Sequence, residues 1–439
     1  MSAAPFANRR LHFVGIGGAG MSGLAIVSQA LGAAVTGSDR AESSYTARLG
    51  EHGIDAAIGH DAANVPGGAE VVVSTAIPQD NPELLAAPGR VLHRGELLGE
   101  VSRLKRSIAV AGTHGKTTTC GMAAHVLVEA GREPAYLIGG ELRSTGANAA
   151  WGAGDWLVVE ADESDRSFLE LSRDVAVVTN VELDHHHTYR SLAELEVAFA
   201  AFAEPAATCI AGPGAGIADA LRYGIRDGDL SAENLELRPL GSRFTVEGVA
   251  VELNVPGRHN VLNALAALAA CREAGLPIAE AAPHLAGFTG AGRRFEERGE
   301  TAAGARVFDD YAHHPTEVRV TLEAARTLEA SRVIACFQPH LFSRTRMLAR
   351  EFGEALALAD VVAVVDVYPA REAAEDFPGV SGLTIARAAA DAAGGRRVLW
   401  TPGIEEAAAR LAAEAGEGDV LLTLGAGDVD RVAAIVTGR

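Results

Sequence analysis

Short runs of apolar, largely β-branched residues recur along this chain. Each is followed by a glycine-bearing turn and then by an alanine-rich stretch with helical periodicity. A continuous apolar run of four or five residues suits a strand buried on both faces, and a 3.6-residue repeat suits a helix laid across it. The alternation therefore predicts βαβ units around parallel sheets. The pattern restarts three times. The first series places strands at 11–14, 34–36 and 71–73 and fades near 103–105. The second places strands at 108–111, 156–159 and 175–178, then runs through an alternating, glycine-rich stretch over 244–255 into a helix over 261–274. The third opens after 290–292, with strands at 332–335, 361–365 and 420–423. An α/β fold of three domains is expected, with boundaries near 105 and 293; no repeat of 20–50 residues suggests a solenoid.

Composition narrows the function. The 439 residues include 57 acidic and 38 basic side chains, a formal charge of -19, and are 48% hydrophobic. An acidic surface repels phosphate backbones, so a nucleic-acid-coating role is disfavoured. No run of about 18 apolar residues is present, and the opening segment lacks the apolar stretch of a secretory signal, so a soluble, cytoplasmic protein without membrane insertion is expected. Cys120, Cys209, Cys271 and Cys336 are too far apart for a CxxC metal knuckle and read as reduced core residues. Only two lysines occur, Lys105 and Lys116.

The segment from Leu11 to Gly23 sets Gly15, Gly17 and Gly20 in GxGxxG register between a strand and a helix. Such glycines let the backbone turn sharply and approach a diphosphate at the helix N-terminus. Ser38 and Asp39 follow the next strand about 20 residues on, where an acidic side chain usually holds a ribose hydroxyl. The alternative is a tight turn with no ligand. The motif leaves NAD, FAD and a UDP-sugar as candidates, since all carry a diphosphate and a ribose.

The segment Ser107 to Thr119 is again strand, glycine loop and helix start, but reads GTHGKTT, because Val110 stands where the longer phosphate-loop pattern has its first glycine. Lys116 and Thr117 fall where a lysine grips phosphates and a hydroxyl binds Mg²⁺. Two clusters follow later strands: Glu160 to Asp165, and Asn180 to His187 with three consecutive histidines. Carboxylate and imidazole beside a nucleotide loop suit Mg²⁺. Consecutive histidines also suggest zinc, but adjacent side chains cannot converge on one ion and no HExxH accompanies them. In the third region, Arg293-Arg294, Asp309 to Pro315 and Phe337 to Arg346 bring arginines, histidines and aspartates to strand edges, where guanidinium groups clamp carboxylates or phosphates.

Taken together, GIGGAGMSGLA, GTHGKTTT, EADESD, TNVELDHHHTY, GRHNVLNALAA, GRRFE, DDYAHHPTEV and FQPHLFSRT resemble the Mur ligase family in order and spacing over essentially the whole chain. The resemblance implies a Rossmann-like UDP-sugar domain over 1–104, a central P-loop-type ATPase domain over 105–292, and a Rossmann-like domain over 293–439 that closes over both and brings in an amino acid. It implies an ATP-dependent ligase of peptidoglycan synthesis, joining L-alanine to the lactoyl carboxylate of UDP-N-acetylmuramate through an acyl phosphate. On that likeness Gly15, Gly17, Gly18, Ala19, Gly20 and Met21, with Ser38, Asp39, Ser74 and Arg94, would bind the UDP-sugar. Gly112, Thr113, His114, Gly115, Lys116, Thr117 and Thr118 would hold ATP phosphates, and His259, Asn260, Asn263 and Asp310 the rest of the nucleotide. Thr117, Glu163 and His185 would be Mg²⁺ ligands. Lys116, Arg294, His340 and Arg344 would be catalytic, with Tyr311 and His313 joining His340 and Arg344 around the carboxylate and the alanine.

Several positions depart from the family. Ligases that add later stem-peptide residues use a carbamylated lysine in the central domain, and none follows Lys116 here. His187 stands where aspartate is frequent, Arg166 where glycine is common, and Leu341 where some relatives have arginine. The alternatives are a murein-peptide recycling ligase, disfavoured by the slim Gly17 to Gly20 loop, and an NAD-dependent dehydrogenase, which leaves GTHGKTTT unexplained.

Overall fold

The structure, a computed structural model, describes residues 4–438. The chain has the three-domain α/β architecture expected, one sheet to each domain. By compactness it divides into two units: residues through Asn234 with Phe244–Glu252 and Val261–Thr289, and Leu235–Arg243 with Leu253–Asn260 and Gly290 onward.

The first sheet comprises β1 (Arg10–Val14), β2 (Ala34–Asp39), β3 (Ala56–Ile58), β4 (Glu70–Val73) and β5 (Val91–His93), in the order β3-β2-β1-β4-β5 with every pair parallel. The order reverses between β1 and β4, the place where open α/β sheets leave a crevice beyond their carboxyl ends. The turn after β1 runs into the helix Ala19–Ala30, whose N-cap Gly18 offers no side chain to its first N–H groups.

The second sheet comprises β6 (Arg106–Ala111), β7 (Ala135–Leu142), β8 (Ala147–Ala150), β9 (Trp156–Glu160), β10 (Val175–Val178), β11 (Thr208–Ala211), β12 (Leu221–Ile225), β13 (Leu230–Arg238), β14 (Gly241–Val246) and β15 (Val249–Leu253). Its order is β15-β14-β13-β12-β11-β10-β6-β9-β7-β8. Strand β6 lies between β10 and β9, parallel to both. The expected strands at 108–111, 156–159 and 175–178 are the apolar stretches of β6, β9 and β10. The apolar pattern does not pick out β7, β12 and β13, where glycine or charge interrupts the apolar positions, or β8 and β11, which have four residues each. The helix expected over 261–274 is Arg258–Glu273.

Within the first unit the helix Ala19–Ala30 packs directly on β7 and β8. A Cβ on Gly23 would stand 3.1 Å from the Ala149 Cβ, so glycine permits the close approach. Asn148 Nδ2 donates to the Ala19 carbonyl at 2.7 Å, fixing the start of that helix to the central sheet.

The third sheet comprises β16 (Glu296–Glu300), β17 (Arg306–Asp310), β18 (Val333–Phe337), β19 (Val361–Val364), β20 (Arg397–Trp400) and β21 (Val420–Leu424), ordered β16-β17-β21-β18-β19-β20 and parallel except for the β16–β17 pair. Cys120, Cys271 and Cys336 are buried free thiols, and Cys209 is free and half-buried.

Candidate active site

Because β6 is flanked by β9 and β10, three motifs far apart in sequence meet at the carboxyl ends of adjacent strands. The loop after β6 turns at Gly112 (φ 136) and Gly115 (φ 83), conformations in the region that favours glycine. It is pinned from the β10 side. Thr179 Oγ1 and Asn180 Nδ2 donate to the His114 carbonyl at 2.6 and 3.0 Å, and Thr113 Oγ1 donates to the Glu182 carbonyl at 2.9 Å. Neither Thr179 nor Asn180 was among the expected site residues; the signal for them is their place at the end of the neighbouring strand.

Lys116 opens the helix Lys116–Glu129 and folds back over the loop. Its Nζ donates to the Gly112 carbonyl at 2.5 Å, to the Thr113 carbonyl at 3.2 Å and to Glu163 Oε1 at 3.0 Å. Burial disfavours the ammonium, yet Glu163, Asp162 and Glu160 outweigh it, and its pKa stands above the ordinary lysine value. Thr117 Oγ1 donates to Glu160 Oε1 at 3.0 Å, and Glu160 Oε2 accepts from the Gly139 N–H at 2.7 Å. Glu160, read only as the start of an acidic cluster, is thus the carboxylate on the threonine expected to meet the metal.

Glu163 is 1% exposed and has His185 Nε2 at 3.3 Å from its Oε1. Burial opposes charge on His185, but the contact with Glu163 and the nearby Asp184 carry its pKa upward. His187 lies edge-on to it, with ring centroids 6.2 Å apart. The donor set fits a hard divalent cation. Glu163 Oε2 is buried with no hydrogen bond, the Lys116 ammonium standing 3.0 Å from it, and the Thr117 hydroxyl lies in the first turn of the helix that Lys116 opens. A cation there would be met by the neutral imidazole, the form that ligates, whereas the contact with Glu163 favours the charged one.

The glycine turn of the first domain is held by the next strand. Gly15 (φ 78) and Ile16 donate to the Ser38 carbonyl at 2.8 and 2.9 Å, and the Gly17 N–H donates to Asp39 Oδ2 at 2.8 Å. The Ser38 hydroxyl points away from the turn, to Glu83 and His60. Ser74 opens the turn whose Ile77 side chain lies against Gly15. Arg94 Nη1 approaches Gly20, while its other amine pairs with Asp162 and lies 3.7 Å from Asp165. Burial opposes the charge on Asp162, but Arg94 and Lys116 hold its carboxyl well below the usual range. Between these groups is a cavity of about 210 Å³, walled by Leu24, Leu98, Leu137 and Phe168, with Arg94, Glu160 and Asp162 on its polar side. Of the residues expected to bind the UDP-sugar, Ala19, Gly20 and Arg94 line this cavity, and Glu160, the partner of Thr117, borders it.

Asn263 belongs to the phosphate loop's surroundings: Thr119 Oγ1 donates to its Oδ1 at 3.3 Å, and a Cβ on Gly115 would stand 2.5 Å from that oxygen. His259 and Asn260 fall in the second unit's residues. Asn260 Nδ2 donates to the Pro256 carbonyl at 2.7 Å. Burial, then the positive charge of Arg294, push the His259 pKa down to about 4, so its ring is neutral near pH 7.

In the second unit the paired arginines separate. Arg293 is structural: Nε donates to Asp309 Oδ2 at 2.9 Å, and its two amines donate to the Gly427 and Gly425 carbonyls at 3.0 Å. Arg294 lies over the Tyr311 ring at 5.3 Å, and among the described residues its guanidinium has no hydrogen-bond or ion-pair partner. Asp310 accepts from the Phe295 and Ala312 N–H groups at 2.7 and 2.8 Å; burial lifts its pKa to about 6 against the pull of Arg294.

Tyr311, His313, His340 and Arg344 form one cluster. The His313 ring is 5.4 Å from Tyr311 and 6.0 Å from His340, and Tyr368, which sequence reading passed over, stacks on His340 at 5.8 Å. Arg344 Nη1 lies 3.4 Å from His340 Nδ1. A guanidinium can only donate, so Nδ1 is the accepting nitrogen and the neutral ring carries its proton on Nε2. In that state His340 can orient an oxygen but has no free lone pair toward an amine.

Two departures fall at left-handed backbone positions. Arg166 has φ 65, a conformation that favours glycine, and its guanidinium lies over the Tyr189 ring at 4.8 Å. Leu341 (φ 69) precedes the helix Phe342–Met347. Lys105 is a structural tie, its Nζ donating to the Gly152 carbonyl at 3.0 Å beside Trp151.

This arrangement, a mononucleotide-type phosphate loop between two acidic strand ends with glycine-turn sheets before and after it, is that of the Mur ligases, and the chain belongs to this family. Residues 10–106 match the family's catalytic domain, 110–271 the Mur ligase middle domain, and 293–427 the Mur ligase glutamate ligase domain. The chain is 45% identical to a UDP-N-acetylmuramate–L-alanine ligase of Acidithiobacillus ferrooxidans over 97% of both chains, and 46% identical to one of Mycolicibacterium smegmatis over 96% of this chain and 93% of the other. The crystal structure of the Thermotoga maritima UDP-N-acetylmuramate–alanine ligase superposes with a TM-score of 0.85 at 30% identity, covering 98% of each chain. A murein peptide ligase of Psychrobacter arcticus shares the fold, with a TM-score of 0.74 at 24% identity and coverage of 98% of this chain and 99% of the other.

Proposed function

We propose that this chain joins L-alanine to the lactoyl carboxylate of UDP-N-acetylmuramate, consuming ATP and releasing ADP and phosphate, in the synthesis of a peptidoglycan precursor. The observation that carries the reading is the convergence of Lys116, Thr117, Glu160, Glu163 and His185 beyond three adjacent strands, in a chain 45% identical from end to end to ligases of that name.

In the first step the lactoyl carboxylate oxygen forms a bond to the γ-phosphorus as the bond to the bridging oxygen of ADP breaks. Lys116 and Arg294 stabilise the charge on the transferring oxygens. Thr117, Glu163 and His185 would hold Mg²⁺, which when bound neutralises charge on the phosphates. Arg94 stands between Gly20 and Asp162 and would take a phosphate of the sugar nucleotide, and Asp39 a ribose hydroxyl. In the second step the alanine amine forms the C–N bond and phosphate departs with the C–O electron pair. The amine proton passes to an oxygen of the departing phosphate, while His340, Arg344, Tyr311 and His313 orient the carboxylates.

Among the described residues no helix is long and apolar enough to cross a membrane, and we place the reaction in the cytoplasm. The test is a phosphate-release assay. Release from ATP with Mg²⁺ should require both UDP-N-acetylmuramate and L-alanine, and release with either omitted would overturn the reading.

A further inference from the structure

Beneath the glycine turn of the first domain lies a buried polar network that the phosphoryl chemistry does not use. Glu83, in the short helix Pro82–Leu85, is fully buried. Its Oε1 accepts from Asn64 Nδ2 at 2.6 Å and from the Asp61 N–H at 3.2 Å. Its Oε2 accepts from the Ser38 hydroxyl and faces His12 Nε2 at 3.5 Å and His60 Nδ1 at 3.4 Å. Burial alone would raise its pKa, but the donors from Ser38, Asn64 and Asp61 bring it below the ordinary glutamate value, so the carboxylate is charged.

Ser38 is the point where this network meets the ligand-facing turn. Its side chain is taken by Glu83, and its carbonyl accepts from Gly15 and Ile16. The next residue, Asp39, accepts from Gly17 through its carboxylate and from Gly59 at 2.7 Å through its carbonyl. A carboxylate meeting donors from β2 and the 60–64 segment therefore sets where the Gly15–Gly17 turn and the Asp39 carboxylate stand.

We propose that Glu83 is a positioning residue of the sugar-nucleotide site, holding Ser38 so that the glycine turn receives a diphosphate and Asp39 a ribose hydroxyl of a uridine nucleotide. The inference rests on the assignment of this domain to UDP-N-acetylmuramate. It predicts a defect confined to one substrate, which general loosening of the core would not produce.

The test uses full-length Glu83→Gln, which keeps the volume and the Oε1 contacts while removing the charge. Kd for UDP and for UDP-N-acetylmuramate, measured by titration calorimetry, should rise about tenfold, the effect of losing a hydrogen bond to a charged group. KM for ATP and L-alanine should stay within about twofold. Ser38→Ala should move the same constants, and the double variant should be no weaker than the weaker single variant. Should Glu83→Gln fail to fold, Ser38→Ala carries the same expectation alone. Unchanged UDP binding, an equal loss for ATP, or additive single effects would overturn the inference while leaving the substrate assignment standing. A wild-type chain that binds neither UDP nor UDP-N-acetylmuramate would overturn both.

Discussion

Lys116→Ala perturbs catalysis and stability by separable routes. Lys116 and Glu163 are 15% and 1% exposed, with the lysine Nζ 3.0 Å from either carboxylate oxygen. Removing the ammonium leaves a buried carboxylate without its main counter-charge, a loss of roughly 3–5 kcal/mol for buried pairs in general. The lower end is expected, because Lys116 is partly open to water and His185 remains 3.3 Å from Glu163. About 3 kcal/mol corresponds to roughly 10 °C in the melting transition of a domain this size. Phosphate release should fall by about 10²–10³-fold or more, since a charge aimed at the transferring phosphoryl group is gone. Adding Glu163→Gln removes the stranded charge. The double variant should regain most of the lost melting temperature, by scanning calorimetry, and none of the turnover. Turnover retained in Lys116→Ala would refute the phosphate role. An equally low melting temperature in the double variant would refute the buried-pair argument.

His185→Ala should need more Mg²⁺ for half-maximal phosphate release, and an unchanged magnesium titration would count against the ligand assignment. Asp39→Asn should raise KM for UDP-N-acetylmuramate while sparing ATP; equal effects on both would remove Asp39 from the sugar-nucleotide site. Arg293→Ala should lower the melting temperature, because it strands Asp309 and two carbonyls, whereas Arg294→Ala should leave the melting temperature nearly unchanged and cut turnover. The reverse pattern in those two variants would overturn their assignment. The His259 pKa lies near 4, below the ordinary histidine value, so the neutral ring's contribution to stability is present above pH 6.5 and lost as pH falls from there toward 4. His259→Gln should therefore show a shallower fall in melting temperature over that window, and parallel curves would contradict it.

The apolar strands at the centres of the three sheets were legible because burial on both faces demands continuous runs of Val, Ile, Leu and Ala, as in Val175–Val178. The short strands at the edge of the first sheet, Ala56–Ile58 and Val91–His93, were not, since three residues carry no periodicity. Candidate chemistry was legible where backbone geometry forces a residue type, as at Gly112 and Gly115. It was not where a common residue gains its role from a neighbour. Glu160 and Glu83 look like ordinary acids in sequence. One holds Thr117 because β9 lies beside β6, and the other holds Ser38 because its short helix is folded beneath β2.

The sequence by itself determined the kind of fold, the family, and the glycine turns after β1 and β6, because periodicity and glycine register are local properties of a chain. Tertiary structure decided which of two adjacent arginines is spent on Asp309 and which lies over the Tyr311 ring, and which nitrogen of His340 accepts. It also decided that Arg94 is set between the glycine turn and Asp162. These depend on groups brought together from distant segments, where a charge is held or left open by neighbours that strand order and burial choose, and no spacing along the chain encodes them.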